Sequence, residues 1–334
     1  MKLLNIDRTG NRTIFSIFGI KFKHKNRNDD FLENVLKKWE TEYNPIFLEN
    51  YLQNLIKNDI SINNKQIFLV YISTLIENKK ETEATEFLQN FVQKYGHRDL
   101  YEFPVICAFA ENQKYADERI KKTAEIFKIM EKNRNNQSLQ NLLKNKTVAI
   151  VGNSPNLIGK NLGKKIDSHD YVVRFNNFRT ENYEQDYGAK TNIWICCQAN
   201  DIVNLPPAKV HQLDYILYSV DLWHTKLREK CYNNICSNIS LETPISYIGS
   251  EFKKELKKFG IIYPSSGLQG IYHLMHIADI KRQNIFGFSF LDNNQNYYDH
   301  YFSKRSQLKK NKLIRNNHHH FTDEALLLNN ILHE

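Results

Sequence analysis

Three groups of residues in this chain are suited to holding an anion or moving a proton. The first, Val151-Gly152-Asn153-Ser154-Pro155-Asn156, is a glycine turn that closes the β-rich run Thr147 to Val151. Gly152 permits a sharp turn and close approach of backbone to a phosphate. Asn153 and Ser154 add donors, and the segment after them can aim a positive helix end at an anion. The spacing is neither the dinucleotide Gly-x-Gly-x-x-Gly nor the P-loop Gly-Lys-Ser/Thr. An ordinary strand-to-helix turn would look the same. The second stretch, Tyr263-Pro264-Ser265-Ser266-Gly267, is a hydroxyl-rich turn opening a helix. Its hydroxyls and free amides suit a ribose, carboxylate or phosphate, and serine is equally a favoured N-cap. The third group is histidine: His300 in Asn296-Tyr297-Tyr298-Asp299-His300-Tyr301-Phe302, and the tract His318-His319-His320 before Phe321-Thr322-Asp323-Glu324. A neutral imidazole takes a proton from a hydroxyl near neutral pH, and a protonated one neutralises developing negative charge. Three adjacent histidines also read as a metal-binding or solvent-exposed tract.

The elements that must position these groups change character along the chain. Residues 1–28 form a basic, apolar segment. Lys2, Arg8, Arg12, Lys21, Lys23, Lys25 and Arg27 face one acid, Asp7, around the strand or hairpin Thr13 to Ile20. Such a pattern suits contact with an anionic membrane surface, or a solvated, charged edge strand. Residues 29–140 read as a helical domain of four to six helices. Phe31, Val35, Leu36 and Trp39 share one helical face, Ile67 to Ile76 is apolar, and Leu88, Phe91 and Val92 keep the helical spacing, as do Ile120, Ala124, Phe127 and Met130. Asn133 to Lys146 is polar and aperiodic, which reads as a linker. Beyond it, Tyr171 to Phe175, Asn192 to Cys197, Tyr215 to Val220 and Asn284 to Phe290 are short buried strands, and Gly267 to Ala278 is helical. Strands alternating with helices predict an α/β fold over residues 146–334, with a mostly parallel, Rossmann-like sheet flanked by helices.

The net charge of +9 favours an anionic partner. No recognition helix or basic–aromatic motif points to nucleic acid. The five cysteines, Cys107, Cys196, Cys197, Cys231 and Cys236, make neither a disulfide framework nor a zinc site. Free thiols fit a reducing cytoplasm. No run reaches the ~18 apolar residues of a membrane span, and Met1 to Ile20 does not read as a signal peptide.

Longer successions say more than single turns. Val151-Gly152-Asn153-Ser154 leads to Gly163-Lys164-Lys165-Ile166-Asp167-Ser168-His169-Asp170. Val173-Arg174-Phe175-Asn176 follows, and then Asp186-Tyr187-Gly188-Ala189-Lys190-Thr191. This resembles the large sialylmotif of the animal-type sialyltransferases: Val-Gly-Asn-Ser, Ile-Asp-x-His-Asp, Val-x-Arg-x-Asn and Asp-x-Gly-x-Lys-Thr at comparable intervals. Tyr263-Pro264-Ser265-Ser266-Gly267, a helix and Ile285-Phe286-Gly287-Phe288 resemble the small sialylmotif. The third motif, roughly His-Tyr-aromatic-acid, has two competing frames: Asn296 to Asp299 lacks the histidine, and His300 to Ser303 lacks the acid. The His300 frame is preferred. The very small motif, His-x-x-x-x-Glu or His-x-x-x-Glu, fits His319 or His320 with Glu324, and His319 is preferred, Glu324 supporting the fold or the loop. The resemblance covers about residues 146 to 331.

The resemblance implies a glycosyltransferase A-like variant of the α/β fold and a CMP-activated acidic sugar, sialic acid first, as donor. Asn153, Ser154, Asn176, Ser265, Ser266 and Gly267 would hold it, with Phe288 lining the cytosine site. His319 would take the proton from the acceptor hydroxyl, and His300 would stabilise the departing phosphate. One in-line displacement would invert the anomeric centre, with no metal or other cofactor; the chain contains no Asp-x-Asp. Lys304, Arg305, Lys309, Lys310, Lys312 and Arg315 would then form a lid or a solvated loop. The family's disulfide between the two larger motifs falls at about Thr147 and Ala278, neither a cysteine, and its membrane anchor has no counterpart. The expectation is a bacterial, cytoplasmic version, in peripheral contact with an anionic membrane, acting on a lipooligosaccharide or capsular glycan. The alternatives are CMP-Kdo as donor and a non-catalytic protein of polysaccharide assembly.

Overall fold

The computed structural model describes residues 4–9, 12–17, 20–25, 44–58, 65–134, 137–197, 213–220, 222–224, 226–239, 243–261, 264–288 and 321–332. It divides into two compact units, residues 1–96 and 97–334.

The first unit opens with an antiparallel meander, β1 (Leu4–Thr9), β2 (Arg12–Ile17) and β3 (Ile20–Lys25). Its register sets Lys21, Lys23 and Lys25 opposite Ser16, Ile14 and Arg12, and Phe15 opposite both Ile6 and Phe22. Helices α1 (Pro45–Asn58), α2 (Lys65–Glu77) and α3 (Glu81–Tyr95) follow. The apolar run expected around Ile67 to Ile76 is the buried body of α2.

The second unit begins with α4 (Pro104–Ala110), α5 (Glu118–Lys132) and α6 (Gln137–Leu143). Ile120, Ala124, Phe127 and Met130 are the buried stripe of α5, and Asp117 caps its first turn by accepting from the Ile120 amide. Phe31 to Trp39 lie outside the described residues. The stretch read as a linker differs: α6 occupies its middle, because Leu139 and Leu143, one turn apart, are both in the core.

The sheet comprises β4 (Val148–Val151), β5 (Tyr171–Phe175), β6 (Ile193–Cys197), β7 (Tyr215–Ser219), β8 (Ile245–Tyr247) and β9 (Ile285–Phe286). Their order is β8-β7-β6-β5-β4-β9, with every neighbouring pair parallel. Within this six-stranded sheet, β8, three residues long, is the strand that the sequence reading did not mark. The crossovers carry α7 (Gly163–Asp167), α8 (Glu184–Tyr187), α9 (Glu229–Ile239), α10 (Ser250–Lys258) and α11 (Ser266–Met275), and α12 (Phe321–Ile331) ends the described chain. Alternate strand residues enter different cores. Val148, Ile150, Val173 and Phe175 join Leu268, Ile271 and Leu328, while Ala149, Val151 and Val172 join Leu157, Ile166 and Tyr187. The expected parallel α/β sheet, covered on both faces, is therefore present. Among the described residues, no helix is long and apolar enough to cross a membrane.

Candidate active site

The strand order runs outward from β4 to β8 and then returns to place β9 on the other side of β4. That reversal is a topological switch point, where open parallel sheets leave a ligand crevice at the carboxyl ends of the strands. The Gly152 turn leaves β4 there and the Gly287 turn leaves β9 beside it. Gly152 N–H donates to Phe286 O at 2.8 Å and Ser154 N–H to Gly287 O at 2.9 Å. A methyl on Gly152 would stand 2.5 Å from Gly287 O, and one on Gly287, whose φ is +70°, would stand 2.6 Å from Gly152 O. The two loops meet so closely that neither tolerates a side chain.

Phe288 draws in the serine turn. It is 8% exposed, packs edge-on against Phe175 with ring centroids 5.6 Å apart, and would meet a methyl on Gly267 at 2.8 Å. The expected cytosine-lining residue is thus a buried wedge that joins the first turn of α11 to the Gly152 loop.

The remaining expected contacts divide between bracing and open groups. The Asn153 amide donates to Phe175 O at 2.9 Å and Asn177 O at 2.8 Å, which uses both its hydrogens and leaves Oδ1 as an acceptor. Asn176 takes the left-handed φ of +49°. Its N–H donates to Ile195 O, its carbonyl accepts from Trp194 Nε1–H, and its Oδ1 accepts from Cys197 N–H. The Ser154 carbonyl accepts from Tyr187 O–H at 2.5 Å, while Ser154 Oγ is buried with no partner among the described residues. Such a hydroxyl calls for a partner that the described residues do not supply.

Ser265 caps α11: its Oγ accepts from Leu268 N–H at 3.1 Å. The fully buried Glu324 carboxylate of α12 accepts from Ser265 N–H at 2.7 Å and from Ser265 Oγ–H at 2.5 Å. Glu324 therefore supports the serine turn, in line with the role expected of it. Ser266 and Gly267, both half-buried, open the same helix. His300 and His319 lie outside the described residues.

Most charged residues of the long succession after Gly152 form scaffold. Asp167 accepts from Ala189 N–H at 2.8 Å and Lys190 N–H at 3.0 Å. Asp186 accepts from Gly159 N–H and Asn161 N–H. Thr147 N–H and Oγ1–H bind Asp170 and hold its carboxyl below the usual carboxylate range. Arg174, 1% exposed, donates through Nε to Lys190 O and Thr191 Oγ1 and through Nη2 to Tyr187 O and Gly188 O. It ties β5 to the loop before β6. Thr147 and Ala278, the positions matched to the family's disulfide, line one cleft together with Lys146 and Ile277. All five cysteines are free, and burial pushes the thiols of Cys107, Cys196 and Cys231 up, away from thiolate chemistry.

Two contributors to the site were not read from sequence, Gln269 and Ser219. The available signal was an amide on the apolar face of α11, among Leu268, Ile271 and Leu274.

Residues 75–214 match the family model "Glycosyltransferase family 29 (sialyltransferase)". The match starts well upstream of residue 146, taking in α3 to α6, and stops short of Ser265, which only the fold brings to the Gly152 turn. A human CMP-N-acetylneuraminate-beta-galactosamide-alpha-2,3-sialyltransferase 1 is 29% identical over 164 residues, covering 46% of this chain and 47% of its own. An Arabidopsis thaliana beta-1,6-galactosyltransferase is 26% identical over 196 residues, covering 48% and 46%. The chain thus spans about half the length of these curated relatives. The crystal structure of a mammalian sialyltransferase in complex with Gal-beta-1-3GalNAc-ortho-nitrophenol aligns at TM-score 0.36 and 19% identity, over 61% of this chain and 76% of that one. Over residues 75–214 the chain is similar to glycosyltransferase family 29 (sialyltransferase), and animal sialyltransferases are among its homologues.

Proposed function

We propose that the protein is an inverting, metal-independent glycosyltransferase that moves sialic acid from CMP-sialic acid to a hydroxyl of an acceptor glycan. The observation that carries this is the switch-point crevice, where the Gly152, Gly287 and Ser265 turns converge with a buried Ser154 Oγ that has no partner among the described residues. The Ser154 and Ser266 hydroxyls and the first amides of α11 at that place suit a single nucleotide phosphate, which needs less charge neutralisation than a diphosphate. Ser154, Ser266, Asn176 and the Asn153 carbonyl oxygen are assigned to the donor, and Ser265, Gly267 and Phe288 to shaping the pocket. Homology with named sialyltransferases supports sialic acid as the sugar.

In this reading His319 is the general base and His300 the group that neutralises the departing phosphate. In sequence His319 stands two residues before Phe321, the first residue of α12, whose Glu324 grips the serine turn. As the base removes the acceptor proton, the acceptor oxygen attacks the anomeric carbon opposite the leaving CMP. We assign the acceptor to a bacterial lipooligosaccharide or capsular glycan at the inner face of the membrane. The basic, apolar sequence of the N-terminal segment supports contact with an anionic surface, and the free cysteines suit a reducing compartment.

The test is nucleotide release with CMP-sialic acid, CMP-Kdo and UDP-galactose in turn, each with and without acceptor. The galactosyltransferase relative justifies the third arm. Acceptor-dependent CMP release from CMP-sialic acid is expected, and His319→Ala is expected to lower kcat about 10²–10⁴-fold with CMP affinity retained. Release only from CMP-Kdo, or only of UDP, would replace the donor; none at all would favour a non-catalytic role in polysaccharide assembly.

A further inference from the structure

We infer that Gln269, through Ser219, is a positioning residue that sets the donor-binding serine turn against the end of β7; this rests on the donor reading above. Gln269 lies one helical turn beyond Ser265 and is 7% exposed. Its Nε2–H donates to Pro264 O at 3.0 Å, and its Oε1 accepts from Ser219 Oγ–H at 2.9 Å. Its own N–H donates to Ser265 O at 2.9 Å. Ser219 is the last residue of β7, at the carboxyl edge of the sheet where the crevice opens. One amide therefore spans two elements of the second unit: the turn that presents Ser265 and Ser266, and a strand three places along the sheet from β4.

The geometry explains why an amide occupies an otherwise apolar helix face. Apolar neighbours fill the core beside it, and an apolar side chain at 269 would pack as well. It would leave the Pro264 carbonyl and the Ser219 hydroxyl without these bonds. An amide is also the group that can accept at one end and donate at the other; a carboxylate would set its second oxygen against Pro264 O. Glu324 holds Ser265 from α12, and Gln269 holds Pro264 from the sheet side. The turn is fixed from two directions, which sets where the Ser266 hydroxyl and the first amides of α11 point. Binding groups held this way spend less ordering free energy on their ligand.

The experiment compares the whole chain with Gln269→Met, which keeps the shape, Ser219→Ala and Ser219→Thr, which keeps the hydroxyl. CMP alone is titrated calorimetrically, and donor and acceptor KM are measured separately. Gln269→Met is expected to weaken CMP about fivefold to tenfold and raise donor KM alike, leaving acceptor KM unchanged. Ser219→Ala should do so more mildly, and Ser219→Thr should restore wild-type binding. Equal CMP affinity in wild type and Gln269→Met overturns the positioning role alone. Donor and acceptor KM rising together also overturns it, since that marks general loosening. Wild-type protein that fails to bind CMP overturns this inference and the donor reading together.

Discussion

Gly152 and Gly287 show how little room the candidate site has. Each carries its α-carbon against the other's carbonyl, and the Phe288 ring closes a third side. A methyl at residue 152 must push back either backbone or a ring that is itself wedged against Phe175 and Gly267. Gly152→Ala is therefore expected to destabilise the protein by about 1–3 kcal/mol, the usual cost of overpacking, read from chemical denaturation. CMP binding should fall further than stability alone explains, because the displaced loop is the one that carries Ser154. A variant as stable as wild type and equally able to bind CMP would contradict this account of the turn.

At the scale of elements, the serine turn and α12 are held together by one carboxylate. Glu324 is separated from Ser265 by 59 residues in sequence, yet accepts from both its amide and its hydroxyl. Removing it leaves two buried donors without acceptors, each costing about 1–3 kcal/mol before any relaxation. Glu324→Ala should thus lower stability by about 2–4 kcal/mol and release the start of α12, with faster amide exchange at Ser265. Leu326→Ala, on an exposed position of the same helix, is the control and should change stability by less than about 0.5 kcal/mol. If the two variants unfold alike, the carboxylate is not what pins the helix. A similar logic applies inside the sheet. Arg174 keeps its charge in the core by giving its donors to carbonyls and a hydroxyl of the loop before β6, so that loop's path is fixed from within.

For the folded chain taken whole, one buried imidazole sets a pH dependence. His273 of α11 is fully buried, and burial lowers its pKa from the ordinary 6.5 to about 4, with His276 adding to the shift. The Phe252 ring lies 4.6 Å away, centre to centre, and neither ring nitrogen has a partner among the described residues. Below pH 6.5 the unfolded chain binds a proton that the folded chain refuses until about pH 4. Stability contributed by this group is therefore intact above about pH 6.5 and is lost as pH falls towards 4, by roughly 3 kcal/mol at most. Unfolding midpoints measured across that range should drop steeply in wild type and more shallowly in His273→Leu. Parallel curves would show that another group controls the acid limb.

The strands β4, β5, β6, β7 and β9 were legible in the sequence, since each is short, apolar and bounded by turn residues, and so were the Gly152 turn and the serine turn. The sequence also singled out the charged residues of the long succession after Gly152, because their order and spacing are local properties. It could not say what they do. In one dimension Asp167, Asp186, Asp170 and Arg174 are motif residues with no assigned role, and only the tertiary structure shows them binding backbone amides and carbonyls. β8 was missed because three residues carry too little pattern, and α6 because a polar, Asn-rich surface hid two leucines at helical spacing. Which of the candidate groups converge was decided by the return of β9 to the side of β4. That return pairs Gly152 with Gly287, seats Phe288 between them and Gly267, and lets Gln269 and Glu324 grip one turn from two sides. Strand order is fixed by burial summed over both faces of the sheet, a non-local quantity that no window of residues contains.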